Sequence, residues 1–154
     1  MSFQITGLAA APFRRFYRLS DDELQSFGAK RLIAAAKPGF PDRVELRDVE
    51  RGEAVLLLNY LHQPADTPYR ASHAIFVREW AETPYRAVDE VPAVLRIRPI
   101  SLRAFNGSGD MVDADLTEGD LEPAIERLFA NREAAYIHAH YAKRGCYAAR
   151  IDRA

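Results

Sequence analysis

The chain has 154 residues, of which 48% are hydrophobic and 28% charged, and these proportions are typical of a soluble globular protein. The net charge of -1 excludes a general electrostatic attraction to nucleic acid or to acidic membranes, and the single cysteine excludes an internal disulfide framework. With no leader-like segment and no apolar run of membrane-spanning length, we expect a bacterial-type cytoplasmic protein that forms one domain over residues 1–154.

The first third of the chain predicts short elements separated by turns. Residues 3–6 predict a strand. Ser20 and Glu23 have the spacing of a capping box, so a short helix follows, and Gly28 is placed to end it. Residues 30–36 and 44–46 predict strands, with a rigid proline turn between them.

Residues 54–62 give the strongest strand prediction. They are apolar on both faces, which indicates a central strand covered on each side. A polar loop over residues 63–72 reverses the chain, and residues 73–79 then predict an antiparallel neighbour. Residues 80–92 have no regular pattern, and residues 94–97 predict a helical turn.

The last third predicts two hairpins around a helix. Residues 100–105 and 111–116 alternate as strands on either side of a glycine-rich loop. Apolar residues recur along one face of a helix over residues 121–131, and residues 134–142 and 146–152 form the closing hairpin. Because turns rather than helical crossovers join most strands, we predict an α+β fold: a mostly antiparallel sheet with a few short helices in one compact domain.

The closing hairpin fixes a predicted register. A three-residue loop that ends with Gly145 in the left-handed conformation pairs Ala142 with Cys146 and places Arg150 opposite His138. Cross-strand neighbours share a face of the sheet, so Cys146 is expected on the same face as His138 and His140. A two-residue loop would turn the thiol to the other face, but it would force an arginine into positive φ.

His138 and His140 are the leading candidates for a site. They are two residues apart on a strand and project from one face about 6.6 Å apart. Two imidazoles so placed can converge on a divalent metal ion, for which His62 is the best third ligand, with Asp113, Asp115 or Cys146 behind it. The alternative is that both histidines form hydrogen bonds within a partly buried sheet.

Four further residues are candidates in catalysis or ligand binding. Cys146 could act as a nucleophile activated by His140, or it could be a small buried hydrophobe. Tyr69 and Arg70, in the polar loop after residue 62, could hold a carboxylate or phosphate, or Arg70 could tie the loop to nearby carbonyls. Arg144 is at the hairpin tip, where solvent normally surrounds an arginine.

The acidic residues between positions 110 and 120 could hold a cation, but a solvated hairpin surface is the default interpretation.

Three segments of the chain resemble an uncharacterised bacterial family, the domain of unknown function numbered 1203. They are LLLNYLHQPADTPYRAS (56–72), IFVRE (75–79) and IHAHYAKRGCYAARI (137–151). The resemblance implies no established activity. Family members often have Gly-Phe-Pro-Cys-Arg where this chain has Asp42, which argues against a two-cysteine mechanism, and a small residue where it has His73. The residues that match the family pattern are His62, Tyr69, Arg70, His138, His140, Arg144 and Cys146.

These features lead to two hypotheses about function. In the first, the protein binds a small anionic ligand, and is an enzyme if a histidine serves as acid or base, in a pocket between residues 62–70 and the closing hairpin. In the second, it is a non-catalytic interaction or structural module whose histidines and arginines only stabilise the fold. The sequence leaves the oligomeric state open.

Overall fold

Two antiparallel sheets and a few short helices make up the fold, in a computed structural model that describes residues 1–154. The strands are β1 (Phe3–Thr6), β2 (Lys30–Ile33), β3 (Ala54–Gln63), β4 (Ala71–Arg78), β5 (Arg86–Val88), β6 (Pro99–Phe105), β7 (Met111–Glu118), β8 (Tyr136–Tyr141) and β9 (Tyr147–Arg153). The helices are α1 (Asp21–Ser26), α2 (Ala93–Arg96) and α3 (Glu122–Ala130), with a 3-10 helix over Ala11–Phe16. None of the helices combines the length and the hydropathy that a membrane-spanning segment requires.

The predicted α+β class is confirmed by this arrangement. The larger sheet has the order β5-β1-β9-β8-β6-β7 and the smaller one the order β2-β3-β4, and every strand pair is antiparallel. The capping box is also confirmed: the Ser20 hydroxyl accepts the Glu23 amide at 3.1 Å, and the Glu23 carboxylate accepts the Ser20 amide at 3.1 Å. Gly28 follows α1 at φ 71°.

The strand β3 is central in the smaller sheet, as its apolar sequence predicts. Its residues Leu56 and Leu58 belong to a buried cluster with Leu24, Ile75 and Val77. The same strand continues to His62, and its buried apolar residues hold this histidine beside the larger sheet.

The two faces of the larger sheet have different compositions. On one face Leu102, Ile137 and Ile151 are fully buried in a cluster with Ile125 and Leu128 of α3. The opposite face carries polar side chains, because residues alternate between faces along each strand. The strand register there aligns Arg103 of β6, His138 of β8 and Arg150 of β9 in one row.

Two of the predicted strands differ from the structure, and one strand was not predicted. Residues 44–46 form no strand, because the Asp42 carboxylate accepts the Glu45 amide at 2.6 Å and closes a turn there. The strand predicted over residues 30–36 ends at Ile33. The strand β5 lies inside the segment predicted to be irregular, and it pairs with β1, about 80 positions away in the sequence, which local pattern does not reveal.

Candidate metal centre

Three of the four histidines converge from the two sheets. His138 and His140 project from β8, and His62 reaches them from the end of β3. The His62 ring centroid is 4.9 Å from that of His140 and 6.3 Å from that of His138, and the latter two are 6.4 Å apart. One ring nitrogen from each lies within 4.8 Å of the others. The structure thus brings together the three histidines that the sequence predicts as metal ligands.

Each of these histidines has a buried ring nitrogen without a hydrogen-bond partner. These atoms are Nδ1 of His62, Nδ1 of His138 and Nε2 of His140. In His140 the other nitrogen, Nδ1, lies 2.9 Å from the Gly145 carbonyl oxygen, which can only accept, so Nδ1 carries the proton. The Nε2 atom of His140 is therefore left with a lone pair inside the protein.

Burial keeps all three imidazoles neutral. Desolvation is the largest cause, and it lowers the pKa of His138 and of His140 to about 3 and that of His62 to about 4. The positive charge of Arg103 lowers the pKa of each histidine further. Near neutral pH the cluster therefore offers unprotonated nitrogens, the form in which histidine binds metal ions.

Aromatic rings hold the three imidazoles in place. Tyr147 stacks on His62 with 5.6 Å between centroids and an angle of 12°, and its edges meet His138 and His140 at 5.1 and 5.8 Å. Phe105 and Tyr136 pack against His138 at 5.0 and 5.1 Å. Close packing on several sides restricts large rotations of the rings, so the three imidazoles stay near one another without a ligand.

Two arginines flank His138 in the sheet, and only one of them is neutralised. Arg150 forms a bidentate pair with Asp152 at 2.8–3.0 Å and lies over the Tyr136 ring. Arg103 contacts no carboxylate, and its one side-chain hydrogen bond is a 3.3 Å donation to the Ser101 hydroxyl. The sequence prediction of Arg150 opposite His138 is confirmed, whereas Arg103 was missed; its register with His138 would have revealed it.

Two of the three histidines, His62 and His138, border a polar cleft of about 320 Å³. His62, Gln63, Tyr136, His138 and Arg150 line it, together with the loops over residues 63–65 and 107–109. Gln63 donates a hydrogen bond to the Tyr136 hydroxyl at 2.9 Å and closes one wall.

Tyr69 and Arg70 do not line this cleft. The Arg70 guanidinium donates to the Pro64 carbonyl within its own loop, and Tyr69 is exposed and meets the edge of Phe105. Arg70 therefore ties the loop to a carbonyl, the second of the two roles considered for it. The guanidinium group that borders the cleft belongs to Arg150.

The prediction that Cys146 shares a face with the histidines is wrong. The hairpin closes on Tyr141, whose amide donates to the Cys146 carbonyl at 2.9 Å, around a four-residue loop rather than a three-residue one. A bulge then shifts the register, so His140 faces Tyr147. The thiol points to the other face, where the Arg43 guanidinium lies 3.1 Å from its sulfur. His140 is not placed to activate it.

The remaining candidates lie outside the histidine cluster. Asp113 and Asp115 form ion pairs with Arg127 of α3 at 3.1 and 2.9 Å, in agreement with a solvated hairpin surface. His73 is hydrogen-bonded to the carbonyls of Ala74 and Arg144 at 2.9 and 3.1 Å. Arg144 is exposed at the hairpin tip.

Comparisons with known proteins identify a family. A family model described as "Protein of unknown function (DUF1203)" matches residues 39–153, which include all three histidines. No curated protein and no solved structure matches the chain.

Proposed function

The chain belongs to the DUF1203 family, and for this member we propose a site that binds a divalent metal ion through His62, His138 and His140 and holds a small anion against it. The observation that carries the proposal is that one ring nitrogen of each histidine lies within 4.8 Å of the others. Each histidine also has a buried ring nitrogen without a hydrogen-bond partner. A buried polar atom left unpaired costs roughly 1–3 kcal/mol. One metal ion would satisfy all three atoms together.

Zinc is the metal that fits these ligands best. Tetrahedral zinc binds imidazole nitrogen at about 2.0–2.1 Å, so its ligand nitrogens are about 3.3 Å apart. One ring nitrogen of each histidine already lies within 4.8 Å of the others, and small side-chain rotations would close the difference. The His140 Nδ1–H donated to the Gly145 carbonyl is the outer hydrogen bond that metal-binding histidines usually make.

Three protein ligands would leave one coordination position open toward the cleft. Sites of this kind bind water or a substrate at the fourth position, and zinc there polarises a carbonyl or phosphoryl oxygen. The cleft borders His62 and His138 on this side.

An anion is the ligand that the charges favour. Arg103 lies beside His138 in the sheet and has no carboxylate partner, and its pKa is lowered by burial. A metal ion would add further positive charge. A carboxylate or phosphate bound to the metal within reach of Arg103 would neutralise both charges, and guanidinium groups suit both anions.

Zinc titration of protein purified without an affinity tag and stripped with EDTA tests the metal site. We expect one zinc ion per chain. Each of His62→Ala, His138→Ala and His140→Ala should weaken zinc binding by about 100-fold or more, since each removes a ligand. His73→Ala is the matched control and should bind zinc as the wild type does, because His73 lies outside the cluster. Loss of affinity in none of the three variants would favour the non-catalytic module instead.

Binding of inorganic phosphate tests the proposed anion site. Phosphate should bind the zinc-loaded protein and should not bind the metal-free protein. Arg103→Met should weaken phosphate binding by about tenfold without weakening zinc binding, and Arg103→Lys should recover part of the loss. Arg127→Met is the control, because Arg127 lies on α3, where it pairs with Asp113 and Asp115. Equal phosphate binding with and without zinc would contradict this part of the proposal.

A further inference from the structure

A second cleft lies at the other end of the closing hairpin. It has a volume of about 610 Å³ and is bordered by the outer side of the smaller sheet and by the loop between β8 and β9. Phe40, Leu57 and Phe76 form apolar walls. None of the three histidines of the candidate metal centre lines it, so the two sites are separate.

All charged residues that line this cleft are positively charged. Arg43 and Arg98 lie at its base, Lys143 and Arg144 lie at its rim, and no aspartate or glutamate is among the lining residues. Arg98 is paired with Asp48, whereas Arg43, Lys143 and Arg144 form no ion pair, so these three cations give the cleft a positive potential beside its apolar walls. Such a surface favours an anion that also has an apolar body.

Arg43 is a buried charge without a carboxylate partner. Its side chain is 1% exposed, and its hydrogen bonds go to the Tyr147 carbonyl at 2.7 Å, the Pro41 carbonyl at 2.5 Å and the Cys146 sulfur at 3.1 Å. Burial of an uncompensated charge is costly. By contrast, Arg98 beside it forms a bidentate pair with Asp48 at 2.6 and 2.9 Å.

The Tyr141 hydroxyl, which also belongs to this cleft, lacks a hydrogen-bond partner. Tyr141 lines the cleft, is 5% exposed, and its hydroxyl is buried with no hydrogen-bond partner. The Arg43 and Arg98 guanidinium groups lie over its ring at 4.8 and 5.3 Å from the centroid. A ligand oxygen beside the Tyr141 hydroxyl would accept its hydrogen and lie close to the guanidinium groups of Arg43 and Arg98.

We propose that this cleft binds a small organic anion, a carboxylate or sulfonate on an aromatic or hydrocarbon frame. The acid group lies toward Tyr141 and the arginines, and the apolar frame packs against Phe40, Leu57 and Phe76. Lys143 and Arg144 at the exposed rim attract the anion. The site needs no metal ion.

Two dyes that share an aromatic frame and differ in the acid group test the proposal. The probe is 1-anilinonaphthalene-8-sulfonate, and N-phenyl-1-naphthylamine is the same frame without the acid group. We expect the sulfonate to bind the native protein in a 1:1 complex at least about tenfold more tightly than the neutral dye. EDTA should leave its affinity unchanged, and decanoate should displace it whereas decanol should not.

Charge reversal at the rim locates the binding. Lys143→Glu/Arg144→Glu changes two exposed residues and should weaken sulfonate binding by about tenfold or more, with the unfolding midpoint unchanged. Arg51→Glu/Arg132→Glu makes the same change in net charge at two exposed positions outside the cleft and should bind the dye as the wild type does. Equal affinity for the two dyes, or an equal loss in the two double variants, would overturn the proposal.

Discussion

On the helix-covered face of the larger sheet, Leu102, Ile137 and Ile151 are fully buried and pack against α3. On the opposite face His138 and His140 are buried to a similar degree, yet ring nitrogens of both have no partner. The first face gains stability from every side chain, whereas the second loses some to unpaired polar atoms. Polar groups kept at such a cost are typical of binding sites, where function rather than stability determines the residue.

The largest expected effect is on the apolar face. Leu102→Ala removes a fully buried side chain from the cluster against α3 and should lower the free energy of unfolding by roughly 2–5 kcal/mol. Denaturant unfolding measures it. A loss below about 1 kcal/mol would mean that this face is not the main source of stability.

Acid should act selectively on the histidine face. The folded-state pKa values of His138 and His140, about 3 each, lie below the ordinary 6.5, so the unfolded chain takes up protons first as the pH falls. Their contribution to stability is complete above about pH 6.5 and is lost toward pH 3, at up to about 1.4 kcal/mol per pH unit for each histidine. Unfolding of EDTA-treated protein between pH 7 and 5 measures it.

That pH range separates the histidines from the ion-paired carboxylates Glu79 and Asp48. Arg31 and Arg98 lower the pKa of Glu79 and Asp48 against the opposing effect of burial, so these acids lose their contribution only at lower pH. A His138→Leu/His140→Leu variant should show a much flatter dependence between pH 7 and 5. The same slope in the variant and in the wild type would show that His138 and His140 are not the titrating groups.

Replacement of a single histidine should change the stability of the metal-free protein far less than replacement of Leu102. His138 makes no hydrogen bond and packs against Phe105, Tyr136 and Tyr147, so a leucine of similar size loses little. His138→Leu should leave the stability of the metal-free protein within about 1 kcal/mol of the wild type, or raise it, while zinc binding is lost. A large loss of stability without metal would indicate a structural role.

The smallest effect is expected at the surface ion pairs of Arg127. Both of its partners, Asp113 and Asp115, lie at the solvent-exposed edge of β7, where water screens the charges. Arg127→Ala should leave the unfolding midpoint and zinc affinity unresolved from those of the wild type. A clear change in zinc affinity would mean that the acidic hairpin takes part in metal binding.

The sequence predicted the parts of the fold that depend on local pattern. The capping box at Ser20 and the central strand β3 both follow from the pattern within one element. Arg150 faces His138 as predicted, but the three-residue loop behind that prediction is wrong: a four-residue loop and a bulge in β9 together give the same pairing. His62 was named as the third ligand from its chemistry, because the contact between its sheet and β8 is not encoded in any local pattern.

The wrong predictions have two causes. They concern contacts between segments distant in the sequence, or a single-residue insertion in a strand. A bulge in β9 moved Cys146 to the face opposite the histidines. The backbone of Val44 turns beside Gly7, where a side chain would meet the Val44 carbonyl oxygen at 2.1 Å, and this contact joins segments far apart in the sequence. Arg103 was missed because its importance comes from its cross-strand neighbour His138.

The convergence of His62, His138 and His140 on one metal ion can be observed directly in a crystal of the zinc-treated protein, measured on both sides of the zinc absorption edge. We predict one strong anomalous peak per chain between the three imidazoles, about 2.0–2.1 Å from one nitrogen of each, with Nε2 as the ligand atom of His140. A peak bound by fewer than two of these histidines, or zinc found only at His73 or at the Asp113–Asp115 surface, would contradict the proposed site.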